Sequence, residues 1–295
     1  MIKTIYRFFL MKHNDKKIKN LFNINKYLDK FDYSLDCDTN IPPYNSNYIW
    51  QFWNQGENNA PPIVKKCMQS VKNFNQDKNI IVLDDESIEK YIEIPEYIKK
   101  KYQQKIISKA HFSDYIRTCL LVKYGGIWID ATVLLTNRIP QEISNQDFFV
   151  FKNALWYNNK KIPSENLFKL FLRIDKDAGL YGSNWFIVSK PNNPILKLQK
   201  KLLEQYWFAE NNLIYYFLYH LFISKSLIKN SQCKKVFEKM YSLSNKEPHM
   251  LQSILKEKYN NEFFEEIKNL SSIHKLTYKF EKIIKNSFIE YLINN

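Results

Sequence analysis

The stretch from Ser108 to Asp130 constrains the fold more than any other. Phe112, Tyr115, Ile116, Cys119, Leu120 and Lys123-Tyr124 recur at helical spacing, and the pattern stops at Gly125-Gly126. Glycine supplies the left-handed backbone that ends a helix. Ile127-Trp128-Ile129 then predicts a short buried strand that delivers Asp130 at its end. Upstream, YIWQFW (Tyr48 to Trp53) reads as another buried strand. After the polar turn NQGENNA, Pro61-Pro62 opens a helix whose Ile63, Val64, Cys67, Met68, Val71 and Phe74 share one face. Ile80 to Leu83 is a second strand, closed by Asp84-Asp85. Strand, helix and strand in this order predict an α/β sheet.

Further along, Asp147 to Phe151 and Asn184 to Val188 read as strands, and Pro194 to Trp207 and Asn212 to Lys225 as helices. The tail from Ser226 is mostly helical and basic, and no internal repeat occurs. Residues 1–40 read as a basic helical appendage, joined through Ile41-Pro42-Pro43-Tyr44, where two prolines stop a helix. The expected division is therefore an N-terminal segment at 1–43, a core at 44–225 and a C-terminal extension at 226–295.

A chain of 295 residues with 45% hydrophobic and 16% aromatic content has ample material for a core, which excludes wholesale disorder. Four separated cysteines (Cys37, Cys67, Cys119, Cys233), none in a CxxC pair, argue against a zinc ribbon or dithiol site and suit a reducing compartment. The N-terminus lacks the long apolar stretch of a secretory signal. The longest apolar run, Leu213 to Ile223, falls short of the ~20 residues that span a bilayer. It reads as a core helix, with a membrane-touching segment as the sharper alternative. The net charge of +14 expects a polyanionic neighbour: nucleic acid, phosphorylated substrate or an anionic membrane.

Asp114 and Arg117 lie three apart on the expected helix, so they share a face. Asp130 follows thirteen residues after Arg117, beyond a strand's carboxyl end, where open α/β sheets bind ligands. Aspartate takes sugar hydroxyls or a divalent cation; arginine clamps phosphate or sugar oxygens. An internal Asp–Arg salt bridge bracing the helix explains the same spacing equally well.

Here the chain resembles a family. SDYIRTCLLVKYGGIWIDAT (Ser113 to Thr132) is similar to the core of sugar-nucleotide-dependent glycosyltransferases: to family 32, to the yeast initiating mannosyltransferases and to the clostridial glucosylating toxins. The bacterial capsular polysaccharide synthesis proteins match best. Their further blocks have counterparts, in order, in YIWQFWNQG, APPIVKKCMQS, SNWFIVSKP and YYFLYH. The resemblance implies a GT-A type, Rossmann-like α/β fold with added N- and C-terminal helices, and a nucleotide-sugar donor, a UDP-sugar foremost. Asp114 would bind donor sugar or ribose hydroxyls, Arg117 would hold donor oxygens, and Asp130 matches the first aspartate of the DxD motif. Trp53 matches a base-stacking tryptophan, although a first-strand Trp also serves as core. Gly125, Gly126, Asn184 and Trp185 join the expected donor-binding set; for Asn184-Trp185 a plain strand with a turn-satisfying Asn is the alternative.

The chain departs from the pattern at Thr132, which stands at the second DxD position; a neutral hydroxyl is a weak ligand for Mn²⁺ or Mg²⁺. A divalent cation held by Asp130, Thr132 and the C-terminal His274 is nonetheless the expectation that the resemblance carries. His274-Lys275 resembles the family's C-terminal ending; an ordinary surface or core histidine explains His274 and His249 at least as well, and His111 reads as helix-terminal packing rather than a ligand. The implied reaction moves a hexose, with retention, onto a capsular glycan or lipid-linked glycan acceptor, in the cytoplasm and on the inner membrane face. That location draws on the basic surplus in the N-terminal segment, the Lys99-Lys100-Lys101 run and the tail. Competing readings are a toxin-like transferase acting on protein and a silent sugar-nucleotide-binding scaffold, the latter prompted by Thr132. A nucleic-acid-binding protein is disfavoured, because no recognition motif accompanies the charge.

Overall fold

The computed structural model describes residues 24, 26–35, 47–152, 182–280 and 282–295. Most of the expected 1–40 appendage, the Ile41–Tyr44 junction and the chain from 153 to 181 lie outside them.

Five strands form the central sheet: β1 (Tyr48–Phe52), β2 (Asn79–Leu83), β3 (Gly126–Ile129), β5 (Phe148–Lys152) and β6 (Gly182–Ser189). Their order is β2-β1-β3-β6-β5. β1 runs parallel to β2 and β3, and β6 pairs antiparallel with both β3 and β5. β6 is thus the one strand of this sheet that runs against the rest. The carboxyl ends of the other four strands and the amino end of β6 meet at one edge. β1, β3 and β6 are covered on both faces, and so their apolar residues run on rather than alternate.

Helix α1 (Pro62–Phe74) begins with proline at its first position and buries Ile63, Val64, Cys67, Met68 and Val71. After α2 (Glu96–Gln103) comes α3 (Lys109–Tyr124), buried nearly all round from His111 to Leu121. The Ser108 side chain accepts from the His111 N–H at its start. Gly125 ends it with φ 63° and ψ −157°, a conformation only glycine adopts readily. The short helix α4 (Gln141–Ser144) leads into β5, and α5 (Pro194–Ala209) is capped by Asn193. α6 spans Leu218–Lys229 rather than starting at Asn212. Residues 212–214 instead fold over Tyr206, whose hydroxyl donates to the Asn212 carbonyl and accepts from the Ile214 N–H, at 2.7 Å each.

The tail is helical in α7 (Ser231–Lys239), α8 (Lys246–Ser253), α9 (Asn261–Leu270) and α10 (Phe288–Asn294). It also contains a strand unforeseen in the sequence. β7 (Ile273–Lys275) pairs antiparallel with β4 (Val133–Leu135), directly after Asp130. A second hydrophobic cluster joins one face of α1 to Leu134, Leu251, Phe264, Leu276, Phe288 and Ile289, and so anchors the tail beside the sheet's carboxyl edge. The main cluster takes in Leu28 and Tyr33 from the N-terminal side.

Candidate active site

α3 and β3 are joined by the glycine turn, which folds the helix back along the strand it feeds. Arg117 therefore reaches both carboxylates. Its Nη1 donates to Asp114 Oδ1 at 2.6 Å, and its Nη2 donates to Asp130 Oδ1 at 3.0 Å and to the Ser113 hydroxyl at 3.1 Å. The guanidinium lies 5.0 Å from the Trp128 ring centre and 5.9 Å from that of Tyr219, within cation–π range. Asn184, at the amino end of antiparallel β6, arrives at the same edge and donates from Nδ2 to Asp114 Oδ1 at 2.7 Å. Trp128 Nε1 donates to Asp130 Oδ1 at 2.9 Å, because residues two apart on a strand share a face.

Asp114 and Arg117 are buried, at 7% and 4% exposure. Burial raises the Asp114 pKa, and the Arg117 charge opposes that rise. The side chains of Asp130 and Lys275 are 22% and 20% exposed and form the open end of the cluster. Lys275 Nζ stands 3.4 Å from Asp130 Oδ2 and donates to the Thr132 hydroxyl. The charges therefore alternate along one line: Asp114, Arg117, Asp130, Lys275.

Around this opening stand Trp53, Tyr216 and Tyr278. Trp53 follows β1 and meets Tyr278 edge-on at 5.1 Å, and its indole N–H has no partner among the described residues. Burial, then the charges of Asp114 and Asp130, raise the Tyr216 phenol. Tyr216 lies in the YYFLYH block, to which the sequence reading assigns no site role, and Tyr278 carries no readable signal in the sequence.

Several expected site residues lie elsewhere. Gly125 and Gly126 sit at the amino end of β3, roughly 13 Å of strand from Asp130. Gly125 accepts from the Trp50 indole there at 2.9 Å, so these glycines end a helix away from the Asp130 cluster. The Trp185 ring stacks on Phe151 at 4.8 Å and meets His249 edge-on, which places it in the core while its neighbour Asn184 faces the cluster. His274 is fully buried, with Nε2 at 3.0 Å from the Thr136 hydroxyl. The register pairs His274 with Leu134 and Lys275 with Val133, so the pleat sends Lys275, not His274, toward Asp130. Burial pushes the imidazoles of His274 and His249 down to about 4 and that of His220 to about 3. His111 bonds the Ser108 hydroxyl and the Tyr216 carbonyl, as helix-terminal packing requires.

The arrangement does not fit a divalent cation. Among the described residues no three His, Cys, Asp or Glu side chains converge. Asp130 Oδ1 is taken by Arg117 and Trp128, its Oδ2 faces an ammonium, and the Thr132 oxygen accepts from that same ammonium.

The molecule is thus a mixed α/β protein with a buried acid–base cluster at the carboxyl edge of its sheet, the edge at which such sheets bind ligands. The family model for capsular polysaccharide synthesis protein matches residues 5–292, and the chain belongs to that family. It is also 25% identical over 184 residues to the O-glycosyltransferase braB of Annulohypoxylon truncatum, covering 59% of this chain and 41% of that protein. The chain thus spans less than half the length of this relative. Among solved structures, the PaToxG glycosyltransferase aligns over 76% of this chain and 80% of its own, at 15% identity and a TM-score of 0.37.

Proposed function

We propose that the protein is a nucleotide-sugar-dependent glycosyltransferase of GT-A type, extending a capsular or other surface glycan. The observation that carries this reading is the Asp114–Arg117–Asp130–Asn184 cluster at the ligand-binding edge, in a chain of the capsular polysaccharide synthesis family. For Asp114 and Arg117 the internal charge pair replaces the expected direct contacts with donor hydroxyls and oxygens, since both side chains are buried and bonded to each other. The buried pair fixes the guanidinium, and the guanidinium orients Asp130 at the open end.

In this reading the donor is a UDP-sugar, its hydroxyls accepted by Asp130 and its base placed against Trp53. The acceptor oxygen bonds to the anomeric carbon as the bond from that carbon to the diphosphate breaks. The electron pair leaves with the phosphate oxygen, which takes the acceptor's proton; this accounts for retention without a dedicated base. A lipid-linked acceptor at the inner membrane face suits the positive charge. The Lys99-Lys100-Lys101 run contributes little to such docking. Lys99 and Lys100 pair with Glu89 and Glu96, and Lys101 donates to the carbonyls of Trp207 and Glu210 at the end of α5. No helix among the described residues is long and apolar enough to cross a membrane.

The test is incubation of the purified chain with UDP-, GDP- and CMP-sugars, reading nucleotide release by mass spectrometry. Release from one donor class supports the reading. Binding of oligonucleotides without release from any donor would overturn it in favour of a nucleic-acid partner.

A further inference from the structure

Thr132 leaves the negative charge of a departing diphosphate without the second carboxylate that would recruit a metal. We propose that the ε-ammonium of Lys275 is the resident cation of the donor site, standing where a divalent ion would bridge positions 130 and 132, and contacting the diphosphate directly. This rests on the transferase reading above and adds to it the group that neutralises the leaving charge.

The placement is built by the backbone. β4 and β7 pair Val133 with Lys275, and the Leu276 N–H donates to the Thr132 carbonyl at 2.9 Å, so the lysine stem is locked beside the Asp130–Thr132 turn. Its Nζ contacts Asp130 Oδ2 at 3.4 Å and the Thr132 hydroxyl, the two side-chain oxygens that the motif would offer a metal. A third contact, to the Leu276 carbonyl, is long at 3.5 Å and is the readiest to exchange for a phosphate oxygen. Arg117 cannot take this role, being buried and bonded to two carboxylates. A threonine at the second position then has a reason: its hydroxyl accepts from an ammonium without adding the negative charge that would draw in a hard cation.

In the step itself, the anomeric carbon–oxygen bond breaks, its electrons stay on the diphosphate, and the acceptor proton passes to that phosphate oxygen. Lys275 remains protonated throughout and offsets the developing charge, as preorganised cations do.

Calorimetric titration of the full chain with UDP and GDP tests this, in EDTA and in Mn²⁺, for wild type, Lys275→Met and Lys275→Arg. Wild type is expected to bind one nucleotide equally well in EDTA and in Mn²⁺. Lys275→Met should bind it about 10- to 100-fold more weakly, the loss of one charge-assisted contact. Lys275→Arg should recover most of that affinity. Wild-type binding that requires Mn²⁺, or unchanged affinity in Lys275→Met, overturns the role of Lys275 while leaving the transferase reading intact. Failure of both nucleotides to bind wild type under either condition overturns the role of Lys275, and the transferase reading then stands or falls on the donor-release assay. Should Lys275→Met not fold, the wild-type comparison of EDTA with Mn²⁺ and the arginine variant still decide.

Discussion

Replacing Arg117 with methionine separates the buried charge network from the chemistry. Methionine keeps an apolar stem against Trp128 and Tyr219 but removes the guanidinium that bonds Asp114 at 2.6 Å and Asp130 at 3.0 Å. Asp114 is then a buried carboxylate without a counter-charge. Removing one partner of a buried pair costs about 3–5 kcal/mol. The Asn184 bond to the same oxygen is present in both proteins and cancels in the difference. Asp130 keeps Lys275 opposite it and adds little. The expected loss is therefore about 3–5 kcal/mol at pH 7.

The pH dependence of that loss has a definite sign. Burial already raises the Asp114 pKa and Arg117 restrains it. Without Arg117 the folded state binds a proton more readily than the unfolded chain does, so the deficit relative to wild type shrinks as pH falls from 7 to 5. Urea unfolding of wild type, Arg117→Met, Asp114→Asn and the double variant at both pH values measures it. The double variant should lose less than the two single losses added together. A single-variant loss below about 1 kcal/mol, the range of exposed pairs, or strict additivity would refute the buried network.

Two further predictions concern groups outside the site. His220, His249 and His274 are held near 3, 4 and 4 by burial, below the unfolded value of about 6.5. Their contribution is fully present above that value and is lost as pH falls toward 4, by about 2 kcal/mol each at pH 5. Thermal midpoints should therefore fall steeply below pH 6.5, and His274→Gln should flatten the slope; an unchanged slope contradicts the burial argument. Gly125→Ala forces a side chain into a glycine-only conformation and should cost about 1–3 kcal/mol. Nucleotide affinity, measured on the folded fraction, should not change; a large affinity loss would return the glycine turn to the donor site.

What was legible in the sequence follows from where the information is local. The helical period from Phe112, its stop at Gly125 and the triplet before Asp130 are contiguous, and the structure shows them as α3, a positive-φ cap and β3. Asp114, Arg117 and Asp130 meet because one helix and the strand it feeds carry all three. Lys275 and Tyr278 come from the far end of the chain, joined to the site by a three-residue strand too short to show alternation. For that reason the sequence points to the adjacent His274, the more conspicuous ligand type, rather than to the residue that faces Asp130. Trp185 shows the same limit, since only the antiparallel register of β6 decides which of two neighbours looks into the site. The sequence pattern places the start of α6 too early because Leu213 to Phe217 are as apolar as a helix face, whereas the Tyr206 hydroxyl holds that backbone in a loop.

In the proposed reaction Asp130, oriented by Arg117 and Trp128, is the group through which this site acts on a nucleotide-sugar donor. The direct measurement is nucleotide release from the responsive donor by wild type and Asp130→Asn, with urea unfolding as the folding control. Asn keeps the size and one acceptor oxygen but loses the charge that pairs with Arg117 and Lys275. Release is expected to fall about 100-fold or more, as when a group acting in the transition state is removed, in a protein that still unfolds cooperatively. Wild-type release rates in a folded Asp130→Asn variant would contradict it.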